Sequence, residues 1–246
     1  MIIIKTDKEI ELMREPCKVV RDVLLLAGQT VKAGMTTGEL DKVLHDYIVS
    51  CGAKPSFLRL YGFPKSTCIS INEEVVHGIP SNNRIIKEGD IVSVDVGASL
   101  NGFHGDGARS FIIGKTTPEK EKLVRVTEEC FFKGIEGIMI GSALGDIGAQ
   151  IQNHAESNGF SVVRAMVGHG IGRNVHEDPE VPNYGRRGVG VRLRKNMTLA
   201  IEPMINMGTF EVDINGWDCI TRDKKPSAHY ENTVVITDNG VEILTL

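Results

Sequence analysis

Two aspartates, Asp95 and Asp106, lie in one stretch from Ile91 to Ile112. Apolar and polar residues alternate up to Gly97 and again, more loosely, from Phe103, with Asn101-Gly102 as a turn signal between. The pattern predicts a β-hairpin. A two-residue loop at Leu100-Asn101 sets Asp95 opposite Asp106. A loop at Asn101-Gly102 sets Asp95 opposite Ala108, with Asp106 its diagonal neighbour on the same face. A three-residue loop sends the two carboxylates to opposite faces. Carboxylates about 5 Å apart on one sheet face repel each other, and one keeps its proton unless a cation intervenes. Hard oxygen ligands at this spacing can hold one or two divalent ions. Asp near turns is common, so the hairpin alone favours two solvated carboxylates, and further ligands must come from elsewhere.

The chain supplies them. His169 lies in Val167-Gly168-His169-Gly170-Ile171-Gly172, where glycines would let backbone pack tightly around the ring. Glu202 ends the apolar run Leu199-Ala200-Ile201, and Glu231 sits in Ala228 to Thr237, a strand pattern. Glu is uncommon inside apolar strands unless paired or ligating. Four carboxylates and one imidazole form an oxygen-rich set suited to Mn, Fe(II), Co or Zn. They exceed the needs of one small ion, so two divalent ions sharing carboxylates are expected, able to activate water and polarise a carbonyl. His77, in an apolar loop, reads alone as a structural histidine. Beside metals, His77 and His176 could move protons.

These residues need elements to position them. Thr6 and Glu9 form a capping box, followed by Ile10, Met13, Cys17, Val20, Leu24 and Ala27 at helical spacing. Pro16 should kink or split this helix, and Gly28 should stop it. Thr36 and Glu39 open a second helix that ends at Gly52. Thr117-Pro118 opens a third, reaching about Gly137, and a fourth carries Leu144, Ile147 and Ile151 up to Gly159. Two helices followed by strands thus occur twice, a weak hint of duplication.

The 246 residues suit one large domain or two fused halves. A net charge of −4 and a pI near 6.0 carry no direct nucleic-acid footprint. No apolar run is long enough to span a membrane. Five scattered cysteines argue against a disulfide framework and fit a reducing cytoplasm.

The segments VVHGIP, SVDVGASLNGFHGDGARSF, GHGIGRNVHEDP, LAIEPMI and SAHYENTVVIT, in order and at compatible spacing, resemble type I methionine aminopeptidases of bacterial form. The resemblance implies an α+β pita-bread fold, with two pseudo-symmetric halves around a central antiparallel sheet. It implies one catalytic domain over 1–246, with halves of roughly 1–115 and 116–246. The implied activity is removal of the initiator methionine from nascent polypeptide N-termini when the next residue is small, by a cytoplasmic monomer that contacts the ribosome. By resemblance, Asp95 chelates one metal, Asp106 and Glu231 bridge two, and His169 and Glu202 hold the other. Glu202 also takes the proton of the attacking water. His77 lies near the scissile nitrogen, and His176 contacts the substrate carbonyl. Phe63, Cys68 and Trp217 fall where the family lines its methionine pocket.

Departures bear on pocket shape. Leu60 and Phe63 stand where relatives often place Tyr, and Val175 where a larger aromatic is common. Gly107-Ala108 replace bulkier or polar residues. His229 would share a strand face with Glu231; it could be a further polar neighbour of the site, and a surface histidine is the favoured reading. The short segment between Glu202 and Glu231 separates the chain from type II enzymes. One rival reading is a proline-specific peptidase of the same fold, which usually carries a large additional N-terminal domain. The other is a non-catalytic binding relative, which usually lacks one or more ligands.

Overall fold

The computed structural model describes residues 1–246. The first half opens with α1 (Asp7–Thr30) and α2 (Thr37–Ser50), each started by a complete capping box, Thr6 with Glu9 and Thr36 with Glu39. The α1 stripe Met13, Cys17, Val20, Leu24 and Ala27 is buried as the spacing predicts. Pro16 does not split α1; it is buried inside one continuous helix. The packed stripe on both sides holds the helix across the missing hydrogen bond. Gly28 does not stop it either. A Cβ there would lie 2.8 Å from the Phe111 ring, so this glycine serves close helix–sheet packing.

Strands β1 (Lys54–Pro55), β2 (Cys68–Ile71), β3 (Glu74–Val76), β4 (Ile91–Leu100) and β5 (Phe103–Ile112) follow. The β4–β5 hairpin pairs Asp95 with Ala108 and Gly97 with Asp106. The turn is therefore Asn101-Gly102, both at positive φ, 54° and 80°, and the diagonal arrangement of the two aspartates is the one adopted. Strand β2 joins the other edge of β4 with Cys68 opposite Asp95.

The second half repeats the order: α3 (Pro118–Ile135) and α4 (Leu144–Ser157), then strands. These are β6 (Ser161–Val162), β7 (Gly168–Gly170), β8 (Glu177–Val181), β9 (Thr198–Ile201), β10 (Met204–Asn206), β11 (Val212–Asn215) and β12 (Asp218–Thr221). The last are β13 (Ser227–His229), β14 (Glu231–Thr237) and β15 (Gly240–Ile243). The central sheet runs β1-β4-β5-β14-β9-β7-β8, with β2 on β4 and β15 on β14. Every pairing in it is antiparallel. One apolar core packs α1 and α2 on β2 and β4; another packs α3 and α4 on the strands of the second half.

The single strand predicted from Ala228 to Thr237 is broken at Tyr230. Its ring packs 5.6 Å from Phe131 and lies under the Arg109 guanidinium at 4.1 Å. Strand β13 pairs with β10 in a small three-stranded sheet, whereas β14 enters the central sheet. His229, the last residue of β13, is buried. It is 1% exposed, so the expected surface histidine is corrected to a core one.

Candidate metal centre

Asp95 and Asp106 reach the centre of the sheet from β4 and β5. Glu231, at the start of β14, pairs opposite Ala108, and Glu202 follows the last residue of β9. His169 lies mid-β7 between two glycines. A Cβ at Gly168 would meet the Ala200 carbonyl at 2.3 Å, and one at Gly170 the Asp178 carbonyl at 2.1 Å. Backbone therefore closes on both sides of the ring, as the glycine pattern predicts.

His169 Nδ1 donates to the Gly170 carbonyl at 2.9 Å, because a carbonyl can only accept. This tautomer leaves the Nε2 lone pair free. Nε2 stands 3.6 Å from Glu202 Oε1 and 3.9 Å from Asp106 Oδ2. Ligand atoms of Asp106, His169 and Glu231 all lie within 4.8 Å of one another. Asp106 is held on both sides. Its N–H donates to Thr233 Oγ1, and its carbonyl accepts from the same hydroxyl, both at 2.9 Å.

Nothing cationic neutralises the four carboxyls. Arg109, whose charge only partly offsets the rise at Glu231, donates to the carbonyls of Ala108 and Glu231 and to Asn232 Oδ1. Burial raises the pKa of Asp95 to about 7. It raises Asp106, Glu202 and Glu231 well above the carboxylate range, and the neighbouring carboxylates push each further up. Asp95 Oδ1 is buried without a hydrogen-bond partner. Such a set of converging, mutually repelling oxygens fits a divalent cation, and it provides more oxygens than one ion requires.

Beside the centre is a cavity of about 320 Å³. Its walls include all ten site residues expected from the sequence: Phe63, Cys68, His77, Asp95, Asp106, His169, His176, Glu202, Trp217 and Glu231. Phe63 and Trp217 meet edge to face at 5.1 Å, Phe57 and Cys68 complete the apolar end, and Val175 packs against them. His77 follows β3 at φ 63° and sets its ring against Trp217 at 5.9 Å. His176 meets His169 at 4.4 Å and stacks on Tyr61 at 5.7 Å. Burial lowers both His77 and His176 below the usual imidazole pKa, keeping them neutral near pH 7.

The model of metallopeptidase family M24 matches residues 11–238. The chain belongs to this family. It is 55% identical to the methionine aminopeptidase of Clostridium perfringens over 100% of this chain and 99% of that one. It is 47% identical to the Escherichia coli K12 methionine aminopeptidase, over 100% and 94%. The structure of methionine aminopeptidase from Thermotoga maritima superposes with a TM-score of 0.98 at 46% identity, covering 100% of this chain and 99% of that one. The prolidase of Pyrococcus furiosus, 24% identical, shares the fold with a TM-score of 0.80; this chain covers 65% of it. The M24 architecture is the pita-bread fold, a mixed α/β structure around a central antiparallel sheet, as the resemblance implied. Family membership carries divalent-metal use.

Sequence reading left parts of the cavity wall unassigned. Tyr61 lines the cavity from the aromatic segment that holds Phe63, and Met166 from just before the glycine-rich segment around His169. His229, open in the sequence to a place beside the site or at the surface, is buried beside Glu202 and Glu231.

Proposed function

We propose that this chain is a methionine aminopeptidase, one catalytic domain over 1–246 built from halves at roughly 1–115 and 116–246. It cleaves the initiator methionine from nascent polypeptides whose second residue is small. The observation that carries this reading is the convergence of five ligand candidates, two neutral histidines and an apolar pocket on one cavity. Asp95, Asp106, His169, Glu202 and Glu231 would hold two divalent ions, with Asp106 and Glu231 shared. Co, Mn, Fe(II) and Zn all suit this donor set. Such ions, when bound, polarise a carbonyl and make water a better nucleophile.

The chain's own residues do the rest. Phe63, Cys68 and Trp217 receive the unbranched thioether side chain, whose polarisable sulfur favours aromatic contact. His77 hydrogen-bonds the scissile nitrogen and His176 the substrate carbonyl. Glu202 accepts the proton of the attacking water and returns it to the leaving amine. The enzyme acts as a monomer in the cytoplasm.

Hydrolysis of Met-Ala-Ser against Ala-Pro peptides, with added divalent metal and with chelator, tests the reading. Met-Ala-Ser is cleaved and Ala-Pro is not, and chelation stops the reaction. Cleavage of Ala-Pro instead would make it a proline peptidase. Cleavage of neither, with metal present, would leave a binding protein.

An exposed basic loop supports ribosome contact. Between Gly185 and Lys195 lie Arg186, Arg187, Arg192, Arg194 and Lys195, with no acidic residue. Lys195 pairs with Asp238, and the four guanidiniums make no ion pair. Such a cluster can bind RNA phosphates even on a chain of net negative charge. Changing all four arginines to Ala should weaken co-sedimentation with ribosomes at low salt and leave Met-Ala-Ser hydrolysis within about twofold. Unchanged co-sedimentation would remove this loop from the contact.

A further inference from the structure

Glu202 lies between two imidazoles. Its Oε1 faces His169 Nε2 at 3.6 Å, and its Oε2 faces His229 Nε2 at 3.9 Å. His229 is buried, and its Nε2 has no hydrogen-bond partner. The same atom is 4.0 Å from Glu231 Oε2. A buried polar atom left unpartnered is costly, and such atoms in native proteins call for an explanation.

The backbone on both sides is fixed. The His229 N–H donates to Ser110 Oγ, and its carbonyl accepts from the same hydroxyl, both at 2.9 Å. His229 pairs opposite Met204 on β10, two residues beyond Glu202. The Glu202 carbonyl accepts from Asn183 Nδ2 at 3.0 Å. With both backbones held, the ring and the carboxylate can meet by rotation of the Glu202 side chain. A shift of about 1 Å brings Nε2 and Oε2 to hydrogen-bond distance.

We propose that His229 is a positioning residue for Glu202. Its Nε2–H donates to Oε2 and leaves Oε1 directed at His169 and the reacting groups. Glu202 is then held in one orientation rather than free to swing between Glu231 and His169. This rests on the peptidase reading for its kinetic readout, but the contact itself can be tested without it.

The test compares His229→Leu, which removes the donor, with His229→Gln, whose amide can present an N–H in its place. Each is measured by titration with Co(II), followed by visible absorption, and by kcat and KM on Met-Ala-Ser. The Leu variant should lose about 10–100-fold in kcat or in Co(II) affinity, the range for groups that orient metal ligands, with KM within about twofold. The Gln variant should keep both within about threefold. A Leu variant with wild-type kcat and Co(II) affinity would overturn the proposal, as would a Gln variant impaired as much as Leu. If the Leu variant does not fold, His229→Asn replaces it: polar, but too short to reach Oε2. It should show the same losses, and wild-type behaviour would sink the idea. Should the wild type cleave no Met peptide, the peptidase reading fails, while the Co(II) titrations still report on the His229–Glu202 contact.

Discussion

Asp106→Ala and Glu231→Ala each abolish turnover, with a loss of about three orders of magnitude or more, equal to about 4 kcal/mol of barrier. Both carboxylates are buried and sit with His169 around one point. Each is assigned to both ions, so removing either leaves two cations facing each other with one fewer anion between them. The metal content should fall below two per chain. Asp106→Asn keeps the volume and separates loss of charge from loss of packing; it should be as inactive as Ala. Near-normal turnover with two bound metals in either Ala variant would refute the dinuclear assignment.

The same cluster gives the metal-free protein a pH dependence of known sign. Its carboxyls have pKa values raised in the folded state, Asp95 to about 7. Folded protein therefore binds more protons than unfolded protein. The contribution to stability is full below the unfolded pKa of about 4 and is lost as pH rises through the folded values. The buried histidines, with pKa values lowered by burial, oppose this below about pH 7, where the unfolded chain still protonates them. Chelated protein should therefore lose thermal stability from about pH 7 upward, where only the carboxyls still titrate. Added divalent ion should restore it most at the upper end, because it replaces those protons. A melting temperature independent of pH in chelator would contradict the buried, unneutralised cluster.

His77→Ala and His176→Ala should each cost about 10²–10⁴-fold in rate, the range for a positioned proton donor or acceptor. Both should retain their metals. His77 stands against Trp217, on the pocket side. His176 touches the centre through the His169 ring. Neither is among the groups whose ligand atoms cluster with those of Asp106. Loss in kcat with little change in KM marks a transition-state role. A His77→Ala protein that arrives without metal would move this residue into the ligand set.

Local order was legible in the sequence because local order has local causes. The capping boxes at Thr6 and Thr36, the Asn101-Gly102 turn and the period-two pattern of β4 are properties of neighbouring residues, and all appear as read. The ligand types were legible too, since carboxylates in apolar strands and a histidine between glycines are conspicuous where they stand. Three features depended on residues far apart in the chain. Gly28 reads as a stop until Phe111 is seen to need its space. Pro16 reads as a kink or a split until the buried stripe holds one helix together across it. His229 reads as a surface residue or a neighbour of the site until the fold buries it beside Glu202. The residue types and the chemistry open to them were set by sequence. Which oxygen faces which nitrogen around Glu202 was decided by the packing of β7, β9 and β13, which are far apart in the chain, where no sequence period reaches.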